Sequence, residues 1–459
     1  MKSWFPLMLA LLLALPIPPA SAQQRPVGAA PTPPLGWNSY NCFGSAVLED
    51  EVKANAAYMA RHLKSHGWQY VVVDFLWSYD NPPGSNFGNP QQYRLPDGAH
   101  VPWLTMDQWG RLLPQPRKFP SAQGQAGFKS LADYVHGQGL KFGIHLMRGI
   151  PRQAVWAKTP VLGASGITAD MIADTTSTCS WNNHMYGLNM AKPGAQEYLN
   201  SLFQLYAAWD VDFVKVDDLS RPYHAAEVEG YRKAITQSGR EMVFSLSPGE
   251  TPVAQAAHVA QHGDMWRMAD DFWDEWKAVL GMMAYARQWQ GKDREGHWAD
   301  CDMLQIGRLS KRGPVGPERY SRFTNDELYT HMTFWSIFRS PLMMGGNLPD
   351  NRELELKLLT NDEVLAVNQQ GRNPRELYHK NGYSVWYSQA PGPQGGVYVA
   401  LFNLNEKPGQ LALNLGELGF KGKVKVRNLW EKRNLGSFKT SYGQTLNPHA
   451  TALLLLTPE

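Results

Sequence analysis

With 459 residues, 43% of them hydrophobic, the chain has enough material for a large domain and a smaller one. Its formal net charge is only +3, which gives no electrostatic case for nucleic acid or an anionic membrane surface as a partner. The three cysteines, Cys42, Cys179 and Cys301, allow one disulfide of unspecified pairing with one thiol left over, and no Cys or His spacing suits a zinc site.

The first 22 residues, MKSWFPLMLALLLALPIPPASA, have an early lysine, an apolar run and a small-x-small ending at Ala20-Ser21-Ala22. That is the pattern of a secretory signal peptide, so the protein is expected to be exported, to a periplasm or to the medium. A membrane anchor is the competing reading, but the run is short and is broken by Pro16, Pro18 and Pro19. Residues 23–34, QQRPVGAAPTPP, read as a flexible linker.

Short apolar strands then recur: LGWNSY (35–40), YVVVDF (70–75), KFGIHLM (141–147), FVKVDD (213–218), EMVFSLS (241–247), DMWRMA (264–269), DMLQIG (302–307) and SPLMMGG (340–346). Helical patterns separate most of them, such as EDEVKANAAYMARHLKSHG, FKSLADYVHGQG and GAQEYLNSLFQLYAAWD. Eight strands alternating with helices predict an α/β fold, a (β/α)8 TIM barrel over 35–370. An open doubly wound sheet is the rival, but no glycine-rich dinucleotide fingerprint follows the first strand. From 371 to 459 the pattern changes to short strands with turns between them: YSVWYSQA, GVYVALFNL, GQLALNL, GKVKVRNLW and ATALLLLTP. These predict a C-terminal antiparallel β-sandwich, most simply one that packs against the barrel.

Barrels of this kind do their chemistry at the C-terminal ends of the strands. Those ends carry Trp37 and Asn38; Asp74 and Trp77; His145 and Arg148; Lys215, Asp217 and Asp218; Ser247; Arg267, Asp270 and Asp271; and Asp302. Lys215 and Asp217 are two residues apart and so share a face of their strand. A structural ion pair explains that spacing, and a helix N-cap explains Asp271. Metal binding by the carboxylates is a further alternative. Several aspartates on different strands with cations and tryptophans beside them also suit glycoside hydrolysis, which needs two carboxyl groups held in different environments. In that reading a cation beside one carboxylate, here Lys215, keeps it ionised. The 17 tryptophans fit either a large core or a sugar cleft.

The segments PPLGWNSYNCFG, YVVVDFLW, GLKFGIHLMRG, DFVKVDD, MWRMADDFWDEW, WADCDMLQIG and FWSIFRSPLMMGGNL occur in an order and spacing that resembles glycoside hydrolase family 27, the α-galactosidase (melibiase) family. The resemblance runs from about residue 32 to the end. It implies a barrel with a C-terminal β-domain, no metal or cofactor, and a carbohydrate substrate. It implies Asp217 as nucleophile, with Lys215 on ring hydroxyls, and Asp271, four residues past Arg267, as acid/base, ahead of Asp270. Trp37 and Asp74 match pocket-lining positions, and Arg267 matches one that contacts the 2-hydroxyl. The implied mechanism is double displacement with retention, the carboxyl groups roughly 5–5.5 Å apart.

Three positions depart from the family pattern: Asp74-Phe75 where two aspartates are usual, His145 where a tyrosine is usual, and Ser247 where a glutamate is usual. All three belong to the sugar-reading shell rather than to the carboxylate pair. An exo-acting α-galactosidase is the leading expectation. β-L-arabinopyranosides and isomalto-type α-glucosides are alternatives on the same fold, and Phe75 fits arabinopyranose because that sugar is galactose without its hydroxymethyl group. A non-catalytic carbohydrate-binding protein and a metal-dependent hydrolase complete the range. An insertion after the second strand, NPPGSNFGNPQQYRLPDGAHVPW, is expected on the catalytic face.

Overall fold

The computed structural model describes residues 1, 28–79, 92–96, 98, 100–292, 294–392 and 395–459, so the expected signal peptide lies outside the described residues. Eight parallel strands form one curled sheet: β1 (Leu35–Asn38), β2 (Tyr70–Val73), β3 (Lys141–Met147), β4 (Phe213–Asp217), β5 (Val243–Leu246), β6 (Met265–Arg267), β7 (Trp298–Asp300) and β8 (Leu342–Met344). Spatial order follows chain order from β7 back to β1, with β8 beside β1, as in a TIM barrel and unlike a doubly wound sheet. The connecting helices are α1 (Glu49–His62), α2 (Lys129–Gly137), α3 (Ala195–Ala208), α4 (Ala225–Gln237), α5 (Ala256–His262), α6 (Trp276–Trp289), α7 (Asn325–Phe338) and, after β8, α8 (Asp362–Gln370).

One of the eight expected strands is displaced. DMLQIG does not form the seventh strand; that strand is the short Trp298–Asp300 before it. Only Leu304 of the expected segment bridges to the sheet, pairing in parallel with Met344. Its N–H donates to Met343 O (2.7 Å) and its C=O accepts from Gly345 N (3.0 Å), which closes the seam between β7 and β8.

Side-chain alternation splits the barrel into two apolar layers. Tyr70, Val72, Phe213, Val243, Met265, Trp298 and Met343 fill the inside, while Leu35, Trp37, Val71, Val73, Val214 and Leu246 pack outward against the helices. A Cβ on Gly143 would come within 2.9 Å of the Phe213 Cβ, so glycine there lets the aromatic fill the barrel axis. The end of the expected flexible linker is part of this floor: Ala30 is buried and accepts a hydrogen bond from Trp298 Nε1 at 2.9 Å.

The same parity carries the polar ends. Inward positions on β4 continue Phe213, Lys215, Asp217, and register pairs His145 of β3 and Ser245 of β5 with Lys215. The barrel therefore delivers Lys215, Asp217 and His145 to one place without help from loops.

Beyond the barrel, eight antiparallel strands follow: β9 (Arg372–Lys380), β10 (Tyr383–Gln389), β11 (Val397–Asn403), β12 (Gly409–Asn414), β13 (Val424–Asn428), β14 (Arg433–Phe438), β15 (Ser441–Leu446) and β16 (Thr451–Pro458). They make a six-stranded sheet ordered β9-β10-β11-β16-β13-β14 and a two-stranded sheet β12-β15. Val385, Val399, Leu401, Leu411, Leu413 and Leu454 form the core between the sheets. The other face of the large sheet, with Trp386, Ala400, Phe402 and Leu453, joins the barrel's own core. Phe334 of α7 stands edge-on to Trp386 and Phe402 there, and Trp430 Nε1 donates to Thr333 Oγ1 at 2.8 Å. All three cysteines are buried, unpaired thiols.

Because Trp430 is buried in this shared core, Trp430→Ala is expected to cost about 3–5 kcal/mol of stability, measured by denaturant unfolding. A loss below about 1 kcal/mol, within the range of ordinary surface changes, would mean that the interface contributes little.

Candidate active site

A cavity of about 290 Å³ opens at the C-terminal ends of the strands, lined by Tyr40, Asp74, Phe75, Trp181, Lys215, Asp217, Arg221, Ser247, Pro248, Asp270 and Asp271. Its floor is a charge cluster. Lys215 Nζ donates to Asp74 Oδ2 at 2.9 Å, and Asn38 Nδ2 donates to the same oxygen at 2.6 Å. The Phe75 N–H caps the other Asp74 oxygen at 2.8 Å. Burial acts to raise the Asp74 carboxyl, but Lys215, His145 and the Phe75 N–H outweigh it and hold the group well below the usual carboxylate range. Burial likewise works against the Lys215 charge, while Asp74, Asp217 and Asp302 restore it and leave its affinity for protons raised.

Asp217 is 7% exposed and faces the cavity. His145 Nε2 lies 2.9 Å from Asp217 Oδ2, and the Asp218 N–H donates to Asp217 Oδ1 at 3.1 Å. His145 is itself held from behind, its carbonyl accepting from Trp77 Nε1 at 2.6 Å. Asp218 turns away from the cavity. Its backbone is left-handed (φ 67°), and its carboxylate joins Arg148, which also pairs with the buried Glu227 at 2.6 Å. Arg148 and Asp218 thus brace the strand end from outside.

Across the cavity, the Asp271 side chain is 44% exposed, with Arg267 Nη1 and Nη2 both 3.4 Å from its Oδ1. Arg267 is buried, and its tighter partner is Asp302 at 2.9 Å. Burial pushes the Asp302 carboxyl up to about 7; Arg267 opposes that shift and Asp271 and Asp300 add to it. Asp270 faces another way, in a two-point pair with Arg221 at 2.8 and 2.9 Å on the exposed rim. The adjacent aspartates therefore have different partners: Asp271 joins the buried cluster and Asp270 the rim.

Phe75 forms an apolar wall beside the Asp74–Lys215 pair. Its ring lies 5.4 Å from His145, 5.4 Å from Trp181 and 6.1 Å from Tyr40. Tyr40 stays a phenol, because burial and then Asp271, Asp74 and Asp217 all raise it above its ordinary value. Ser247 lines the opposite side, its N–H donating to Val216 O at 2.9 Å.

Of the residues expected from the sequence, Asp74, Lys215, Asp217, Ser247, Asp270 and Asp271 line the cavity, and His145 and Arg267 support it by direct contact with Asp217 and Asp271. Trp37 does not line it. It occupies an outward position of β1 and is fully buried, with its indole N–H donating to Gly346 O at 2.9 Å. The inward residues of that strand end are Asn38 and then Tyr40, so the same alternation points to Tyr40 instead. Arg221, four residues past β4, and Pro248, two past β5, line the cavity without having been expected there. Trp181 carries no local signal, since it comes from the long excursion between β3 and α3. No described residue of the insertion after β2 lines the cavity.

Residues 186–370 match the family model for alpha galactosidase A, and 380–456 match that for the alpha galactosidase C-terminal beta sandwich domain. Alpha-galactosidase 2 of Arabidopsis thaliana is 26% identical over 440 residues, 94% of this chain and 90% of that protein. The crystal structure of a family 27 β-L-arabinopyranosidase from Geobacillus stearothermophilus superposes with a TM-score of 0.88 at 48% identity, covering 94% of this chain and 97% of that one. Alpha-galactosidase I from Mortierella vinacea shares the fold at 21% identity, with a TM-score of 0.69 over 94% and 98% of the two chains. The barrel with its sandwich domain, and the 48% identity along nearly the whole of one member, place the chain in glycoside hydrolase family 27, among the α-galactosidase-like enzymes.

Proposed function

We propose that the protein is an exo-acting, retaining β-L-arabinopyranosidase, with Asp217 as nucleophile and Asp271 as acid/base. The observation that carries the choice of sugar is Phe75. It puts an aromatic wall, backed by Tyr40 and Trp181, next to the Asp74 carboxylate. A hydroxymethyl group turned toward that wall would leave its hydroxyl without a partner, at a cost of about 1–3 kcal/mol. Arabinopyranose has hydrogen at that position and loses nothing. The 48% identity to an arabinopyranosidase, against 26% to the Arabidopsis α-galactosidase, supports the same reading. An α-galactosidase is the second reading, favoured by the intact Asp74–Lys215 pair.

In this mechanism an Asp217 oxygen attacks the anomeric carbon while the bond to the leaving oxygen breaks and Asp271 gives that oxygen its proton. A glycosyl ester on Asp217 results. Asp271, now ionised, takes a proton from water as the water attacks the anomeric carbon; the ester bond breaks and the Asp217 carboxylate is restored. The two carboxylates suit these roles because Asp217 is enclosed and held by His145 and the Asp218 N–H, whereas Asp271 is open on the leaving-group side. Lys215 and Asp74 are placed to grip ring hydroxyls, and no step calls for a metal. We further propose that residues 1–22 direct export to the periplasm or the medium, so that the mature chain begins at Gln23; a mature protein retaining its first residues would refute this.

Initial rates on matched aryl glycosides test the choice of sugar. β-L-arabinopyranoside is expected to exceed α-galactoside, and Phe75→Asp to shift the ratio toward galactoside by about tenfold or more. An unchanged ratio would remove Phe75 as the determinant. Asp271→Asn is expected to lose about 10²–10⁴-fold on substrates with poor leaving groups and far less on activated aryl glycosides, since only the former need the proton. Equal losses on both would contradict the acid/base assignment.

A further inference from the structure

Away from the cavity, two groups of histidine and carboxylate side chains among the described residues lie close enough to share an ion. In one, Asp133, His136 and Asp210 are already engaged: Lys129 pairs with Asp133, Arg240 with Asp210 at 2.7 Å, and Asp212 with His136 at 2.7 Å. The other is differently built. Glu229 projects from α4, and His258 and His262 come from α5, four residues apart and hence on one helix face, a His-x3-His spacing that does suit zinc, contrary to the expectation that no His spacing in the sequence does. Their ligand atoms all lie within 4.8 Å of one another, and the two imidazole rings are 4.5 Å apart. His258 Nε2 sits 3.1 Å from Glu229 Oε1.

A second contact orients this group. The Tyr223 hydroxyl lies 2.8 Å from His258 Nδ1, with its ring edge-on to the imidazole at 5.5 Å. In the tautomer with its hydrogen on Nδ1, donated to the Tyr223 oxygen, Nε2 carries the lone pair and can exchange its contact with Glu229 for an ion. Fixing one ring nitrogen so that the other can bind is how proteins prepare a histidine ligand. Glu229 is 57% and His258 24% exposed, so an ion reaches them from solvent. Two imidazoles and one carboxylate suit a borderline divalent ion rather than calcium or magnesium, which take oxygen ligands.

We propose that Glu229, His258 and His262 form a surface site for a divalent first-row transition metal, zinc by its donor set, clamping α4 to α5. Water completes the coordination. None of these residues lines the cavity, so the ion does not touch the reacting groups. Its reach is through Tyr223, which closes a bridge with Ser220 around Arg221, the cation of the cavity rim. Occupancy therefore braces the loop that carries Arg221.

The test is a calorimetric zinc titration of the tag-free, chelator-treated full chain, with His258→Gln, His262→Gln and Tyr223→Phe alongside. Wild type is expected to bind a single zinc ion per chain and to melt at higher temperature when it is present. Each histidine variant is expected to weaken binding by at least about tenfold and to lose the rise in Tm, and Tyr223→Phe to weaken it by about 10–100-fold. Retained hydrolysis of an aryl glycoside confirms that each variant is folded. Absence of zinc binding in wild type, or binding unchanged by both histidine substitutions, would overturn the proposal.

Discussion

The whole catalytic face depends on one buried ammonium. Lys215 sits at an inward position of a barrel strand, where an unpaired charge is very costly to desolvate. Asp74 from a different strand neutralises it at 2.9 Å, and Asn38 from a third shares the same Asp74 oxygen. Three strand ends are thereby locked to one point. The remaining charges then alternate outward from it: Asp217 beside Lys215, Arg267 between Asp302 and Asp271, and Arg221 against Asp270 at the rim. Removing either half of the central pair would leave the other buried and uncompensated, so the arrangement stands as a unit.

That unit explains why two departures from the family pattern are tolerated where they stand. Phe75 occupies the wall next to Asp74, and its N–H donates to an Asp74 oxygen. His145 supplies a ring nitrogen to Asp217 at 2.9 Å. Both exchanges change the surroundings of the cavity while the Asp74–Lys215 pair stands.

Much of this was legible in the sequence. Strand-helix alternation gave the barrel, and the loss of helices past about residue 371 gave the sandwich. Lys215, Asp217, Asp74 and Ser247 reach the cavity because two-residue alternation puts them at, or one residue past, inward strand ends, whereas Asp271 reaches it from four residues beyond β6. The displacement of Trp37 has the same physical root. Trp37 is one residue out of phase, so it faces the helices, while Tyr40 is in phase and faces the cavity. The seventh strand was misplaced because Trp298–Asp300 is only three residues long and the apolar run after it is a buried loop that closes the barrel seam. Trp181 was invisible because a long excursion between β3 and α3 brings it to the rim. The pairing of His258 with Glu229 was hidden too, since it needs two helices packed side by side.

The central claim is that Asp217 forms a covalent bond with the sugar. Mass spectrometry of the enzyme after incubation with an activated 2-deoxy-2-fluoro arabinopyranoside tests it directly, because the fluorine slows breakdown of the intermediate. A single glycosyl adduct is expected on the peptide carrying Asp217, absent in Asp217→Asn. An adduct on another carboxylate, or turnover of the parent substrate with inversion at the anomeric carbon, would contradict it.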